Sequence, residues 1–214
     1  MSNKIEIKGL RKSFKSQTVL QDVNVSFETG KIHGIIGRNG SGKTVLFKLI
    51  AGFLIPDCGQ IIVDGIELKP AMRREMGILI EKPGFLEHLN AFKNLSLLAS
   101  IQHRITDQDV RDAITTVGLD PKDKKLVGKF SLGMKQRLGI AQAIMEKPSL
   151  LILDEPMSGL DKNGVAEMRK LFLDLKEKGV TILLSSHYAE DIDALCDTVC
   201  EMDRGVLTRL EGEE

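Results

Sequence analysis

This 214-residue sequence has no net charge: thirty Lys and Arg stand against thirty Asp and Glu. A broadly basic surface, the usual footprint of nucleic-acid binding, is therefore not expected, although local basic patches stay open. No apolar run reaches the ~18 residues needed to cross a bilayer. Nor does a positively charged segment followed by a short apolar one open the sequence in the manner of a secretion signal. These absences predict a chain that neither spans a membrane nor carries an export leader. Cysteine is scarce as well. Cys58, Cys196 and Cys200 show no metal-site arrangement, and the last two, in an apolar stretch, read as core thiols suited to a reducing cytosol. There is no internal repeat and no low-complexity segment.

What is present suits one domain with a sizeable core, at 42% hydrophobic and 28% charged residues. "KIEIKGL" alternates and "TVLQDVNVSF" is rich in β-branched residues, so the first thirty residues predict strands. "KIHGIIG" is a short strand ending in glycine, and "RNGSGKT" leads into a helical run from Val45 to Ala51 that stops at Gly52. "GQIIVDGIEL" and "MGILI" predict further strands. From about residue 86 the pattern turns helical, with Leu89, Phe92, Leu95, Leu98, Ile101 and Ile105 at helical intervals. Thr106 and Asp109 form a capping-box pattern before Val110, Ile114 and Val117, with Gly118 as the stop. A third helix is expected from Ser131 to just before Pro148. Strand-helix alternation then returns with "LLILDEP", a helix face of Val165, Met168, Leu171, Phe172 and Leu175, the strand "VTILLSSH", and a hairpin around Arg204-Gly205. Strands buried on both faces with helical crossovers predict an α/β fold with a mainly parallel sheet, N-terminal antiparallel strands and an inserted all-helical subdomain. The expected division is one domain, with a core lobe of residues 1–83 and 145–214 and a helical subdomain of residues 84–144. The closing "EGEE" reads as a solvated tail.

"GRNGSGKT", Gly37 to Thr44, fulfils G-x-x-x-x-G-K-[ST] between a strand and a helix, the context the motif requires. Gly37, Gly40 and Gly42 permit the tight turn, and the backbone N–H groups of Arg38, Asn39 and Ser41 are carried in the same phosphate loop. Lys43 supplies an ammonium for the β- and γ-phosphates, and the Thr44 hydroxyl suits Mg²⁺. The helix start adds its positive end. "LLILDEP" supplies Asp154 for Mg²⁺, and Glu155 beside it to orient or deprotonate an attacking water. Together these motifs predict a P-loop NTPase core with a nucleotide-hydrolysing site that uses Mg²⁺.

With later motifs in order, nearly the whole chain resembles the nucleotide-binding subunit of an ATP-binding-cassette (ABC) transporter. "FSLGMKQRLGIAQAI" carries the signature loop Ser131-Leu132-Gly133-Met134-Lys135, in which Leu132 and Met134 depart from the commoner Gly and Gln. "SGLD" is the dimer-facing loop, "SSH" holds the switch histidine His187, and Phe14 matches the aromatic that stacks on adenine, though it could equally be a core aromatic. The resemblance implies that Ser131 and Gly133 close over ATP bound by a second nucleotide-binding subunit, that Asp161 works at the dimer interface, and that His187 contacts the γ-phosphate. It further implies a separate integral-membrane permease, a peripheral place on the cytoplasmic face of the membrane, and no nucleic-acid partner. Homodimer and heterodimer pairing both stay open. The family usually has glutamine where this chain has Glu81, at the end of "MGILI". Glu81 is then either a solvated strand end or a carboxylate that joins Mg²⁺ and the attacking water. "LIEKPGF" and "SLGMKQRL" also resemble the branch serving bacitracin and lantibiotic export or self-immunity. Two other readings are a soluble ABC ATPase acting on ribosomes or DNA, and a non-hydrolytic ATP sensor. The single cassette, neutral charge and intact Asp154, Glu155 and His187 favour a hydrolysing motor.

Overall fold

The computed structural model describes residues 2–69, 76–81 and 83–210. Lys82 and the "EGEE" end lie outside the described residues. Two sheets organise the chain. Strands β1 (Asn3–Phe14), β2 (Gln17–Glu28), β4 (Cys58–Val63) and β5 (Ile66–Glu67) form an antiparallel sheet in the order β2-β1-β4-β5. Strands β3 (Ile32–Ile36), β6 (Met76–Leu79), β7 (Leu150–Asp154), β8 (Thr181–Ser185), β9 (Thr198–Asp203) and β10 (Val206–Leu210) form the other sheet. Its order is β10-β9-β3-β8-β7-β6, and every pairing is parallel except β9 with β10.

The central strands β3, β7 and β8 of the six-stranded sheet are buried on both faces, which is why they read as largely apolar runs. Along β7, Leu150 and Ile152 face one cluster, and Leu151 and Leu153 the other. The first cluster includes Leu46, Phe47, Leu49 and Ile50 of helix α1 (Lys43–Ile50), together with Ile5, Leu10, Val23 and Phe27 of the antiparallel sheet. The second takes in α2 (Ala91–Gln102), α3 (Asp107–Thr116), α4 (Leu132–Ile144), α5 (Lys162–Glu177) and α6 (Ala189–Leu195). Thus α2, α3 and α4 follow one another between β6 and β7, as the helical periodicity predicts.

Local chemistry explains the helix starts. Thr106 accepts from the Asp109 N–H while Asp109 answers the Thr106 N–H, a complete capping box. Ser131 caps α4 through the Met134 N–H, and Asp161 caps α5 through the Gly164 N–H. Two boundaries differ from expectation. The first helix begins at Lys43 rather than Val45 because the phosphate loop itself forms its start. The second is shorter than its apolar stripe: Leu89 and Ile105 fall outside it.

The six-residue β9 and the five-residue β10 make the terminal hairpin, turned by Arg204 and Gly205 with φ of 46° and 84°. Cys196 and Cys200 belong to different elements. Cys200 lies buried in β9, while Cys196 follows α6, half-buried, its thiol pushed up to about 12 chiefly by burial.

Candidate active site

The candidate chemistry collects beyond the C-terminal ends of the parallel strands, the edge where open α/β sheets bind ligands. Strand β3 delivers Gly37, β7 delivers Asp154 and Glu155, and β8 delivers Ser185 and His187. The backbone of the phosphate loop depends on its glycines. Gly37 and Gly42 have φ of 142° and 118°, and a Cβ on Gly37 would meet the Met202 carbonyl oxygen at 2.2 Å.

Lys43 donates from Nζ to the carbonyl oxygens of Gly37 and Arg38 at 2.6 and 3.2 Å, which sets its ammonium within the loop. Ser41 Oγ is buried without a hydrogen-bond partner among the described residues. A free hydroxyl and an ammonium inside a glycine-rich loop at a helix start fit an anionic phosphate chain. A cleft of about 190 Å³ runs past Asn39 to Val45, with Asp154, Glu155 and His187 on its far side.

Two adjacent carboxylates have different surroundings. Asp154 accepts from the Thr44 hydroxyl at 2.7 Å and from the Ser185 hydroxyl at 2.6 Å. The Thr44 hydroxyl and Asp154 carboxylate form a hard oxygen pair that would hold Mg²⁺. Among the described residues no group of three or more His, Cys, Asp and Glu could hold a metal ion unaided. Glu155 instead has Oε1 buried without a hydrogen bond, with His187 Nε2 as its ion-pair neighbour at 3.0 Å. Burial raises the Glu155 carboxyl above its ordinary 4.5, against the opposing pull of His187 and Lys43. A desolvated carboxylate of raised basicity suits a group that takes a proton from water.

Glu155 also has a left-handed backbone, φ 51°, which is uncommon for a non-glycine residue. Its N–H donates to Ser185 Oγ at 2.9 Å, so one hydroxyl ties both Asp154 and Glu155 to the neighbouring strand. On the other side, Gln136 of α4 donates from Nε2 to the Glu155 and Pro156 carbonyl oxygens at 3.1 and 3.0 Å. The residues on either side of His187 are tied down. Asp191, 2% exposed, accepts from Arg169 and from the Ser186 hydroxyl, and Ser186 Oγ in turn accepts from the Tyr188 N–H. Sequence reasoning missed Ser185, Gln136 and the Arg169–Asp191 pair, because their partners lie on other elements.

The remaining expected residues sit apart from this cluster. Of the three groups expected at Mg²⁺, Thr44 and Asp154 meet, but Glu81 does not join them. It turns out on a left-handed backbone, φ 60°, and its Oε1 lies 2.6 Å from Lys48 Nζ, one helical turn beyond Thr44. Phe14 ends β1, 43% exposed and outside the phosphate cleft, with the Lys12 ammonium 5.4 Å from its ring centre. Ser131 to Lys135 and Asp161 meet in a second place. A Cβ on Gly133 would lie 2.9 Å from the Gly159 carbonyl oxygen, so the signature loop packs on the "SGLD" loop.

The family description "ABC transporter" matches residues 20–158, from β2 through the carboxylate strand to the "SGLD" loop. The chain belongs to the ABC transporter family. It is 43% identical over 98% of its length to the ABC transporter ATP-binding protein YybJ of Bacillus subtilis (strain 168), of which it covers 96%. It is 42% identical over 97% of its length to the bacitracin transport ATP-binding protein BcrA of Bacillus licheniformis, covering 69% of that protein. The fold matches a dimeric ATP-binding cassette solved in a post-hydrolysis state with ADP and Pi. The TM-score there is 0.88 at 20% identity, over 98% of this chain and all of the other. The chain is thus an ABC ATPase subunit that takes ATP and Mg²⁺ and hydrolyses the nucleotide. Subunits of this family dimerise and pair with membrane permeases.

Proposed function

We propose that this subunit is the motor of a peptide-antibiotic exporter, held on the cytoplasmic face of the membrane by a separate permease. The observation that carries its hydrolytic part is the Glu155–His187 contact at 3.0 Å beside the Thr44–Asp154 pair at 2.7 Å. In this reading the loop from Gly37 to Thr44 wraps the phosphates and Lys43 neutralises the β- and γ-oxygens. Mg²⁺ held by Thr44 and Asp154 supplies further charge neutralisation on the phosphates. Glu155 takes the proton of the attacking water, while His187 holds Glu155 and the γ-phosphate in register. Phe14 offers an exposed aromatic face to adenine, and Glu81 reaches Mg²⁺ after leaving Lys48.

Ser131 to Lys135 close over ATP bound by a second subunit, with Asp161 at that interface. The packing of Gly133 on the Gly159 carbonyl supports both loops acting as one surface. We take residues 1–83 and 145–214 as the core lobe and 84–144 as the helical subdomain. Between them, a groove of about 460 Å³ runs past Phe53, Pro83, Leu98 and Ile101, with Phe53 and Ile101 61% and 64% exposed. With Gln142 and Glu146 beside these apolar side chains, it offers a mixed seat for the permease. The likeness to the bacitracin transport protein supports the substrate class.

The test is Glu155→Gln, which keeps shape and removes the base. We expect ATP binding to persist, turnover to fall by ~100-fold or more, and an ATP-bound dimer to accumulate on size-exclusion chromatography. Full turnover by this variant would overturn the assignment.

A further inference from the structure

We propose that Gln136 is a positioning residue for hydrolysis. It fixes the backbone of Glu155 from the signature helix, so that the hydrolytic carboxylate is aligned only while α4 is seated against the core. The inference rests on the reading of Glu155 as the base and adds a control on it. Gln136 lies one and a half turns into α4, whose N-cap is Ser131. Its Nε2 reaches the carbonyl oxygens of both Glu155 and Pro156, at 3.1 and 3.0 Å. Two carbonyls can only accept, so the amide must present its NH₂ to them, and both its donors are spent there.

The residue it grips is the one with most need of it. Glu155 sits at φ 51°, a conformation that persists only when the surroundings impose it. Ser185 holds its N–H from β8, and Gln136 holds its carbonyl from α4. Removing either grip lets the peptide rotate, and the carboxylate moves with it. The Ser185 grip stays within the sheet. The Gln136 grip comes from the helical segment, so a shift of α4 reaches Glu155 directly. The same helix begins at Ser131, which faces a second subunit's nucleotide in the proposed dimer. Engagement of Ser131 and alignment of Glu155 therefore belong to one rigid element.

The experiment compares Gln136→Met, which keeps the volume and loses the donors, with Gln136→Lys, which keeps a donor. Steady-state ATPase is measured with Mg²⁺ and ATP, and nucleotide affinity and thermal midpoint are measured alongside. Gln136→Met is expected to lower kcat by about 10- to 100-fold, the cost of a small misplacement near the chemistry. Its KM for ATP should stay within about twofold, since Gln136 touches no part of the phosphate loop. Gln136→Lys should recover much of kcat. A kcat for Gln136→Met within twofold of the parent overturns the proposal, as does a loss that Gln136→Lys does not repair while the thermal midpoint is unchanged. Should Gln136→Met fold poorly, Gln136→Lys decides by itself: near-parental kcat supports the donor role, and a tenfold loss with unchanged stability refutes it. Glu155→Gln separates the two layers. If it is inactive while Gln136→Met is fully active, only the positioning role fails; if it is active, the base assignment fails first.

Discussion

Glu81 stands between two cations, the Lys48 ammonium that it contacts and the Mg²⁺ that it is proposed to reach. The contact with Lys48 is 62% exposed on the Glu81 side and 28% on the Lys48 side. Ion pairs so exposed contribute only about 0–1 kcal/mol, too little to keep a carboxylate from a divalent metal. In the proposed function Lys48 therefore holds Glu81 only until the metal is bound. Glu81→Gln should barely change the thermal midpoint, yet raise the Mg²⁺ concentration for half-maximal turnover by roughly threefold or more, because an amide coordinates less strongly than a carboxylate. A Mg²⁺ titration of ATPase activity measures this, and superimposable curves would remove Glu81 from the metal site. That Glu81 stands where the resemblance places the family glutamine is legible in sequence. Its left-handed turn and its pairing with Lys48 are not, since one is a backbone choice and the other a contact across 33 residues.

Among the elements, β6 and α4 meet most tightly at Gly77. A Cβ there would come within 2.0 Å of the Ala143 carbonyl oxygen and 2.4 Å of a Leu151 methyl. Neither the α4 backbone nor the buried Leu151 can give way cheaply. Gly77→Ala should therefore cost about 1–3 kcal/mol, seen in calorimetry as a thermal midpoint lower by roughly 2–12 °C. An unchanged midpoint would mean that α4 moves freely on the sheet. The elements most legible in sequence are those whose information is local. The Thr106–Asp109 box, the Ser131 cap and the twofold alternation hidden in "LLILD" all state their structure within a few residues. Helix α6 gives no such statement. "AEDIDAL" is short and acidic, and it is held by Arg169 from α5, a partner no local pattern reveals. Gln136 and Ser185 escaped for the same reason.

For the whole molecule, no helix among the described residues is long and apolar enough to cross a membrane. In the proposed function, transport depends on how the ATPase grips a separate permease, and the groove holding Phe53 is the proposed grip. Phe53→Glu replaces an aromatic ring of that seat, 61% exposed and outside the phosphate cleft, with a charge. It should leave ATP hydrolysis by the isolated subunit unchanged and release the subunit from permease-containing membranes, as flotation would show. Retention on the membrane would move the docking surface elsewhere. The sheet order carries another consequence, for the time at which the protein comes into being. Strand β3, which leads into the phosphate loop, pairs with β8 and β9, whose residues 181–203 lie far downstream of it in the sequence. The antiparallel sheet can close as soon as its last strand, ending at Glu67, leaves the ribosome. The strand that aims the phosphate loop must wait with both edges unpaired while well over a hundred further residues are translated, so a growing chain displays its nucleotide motif long before it can use it.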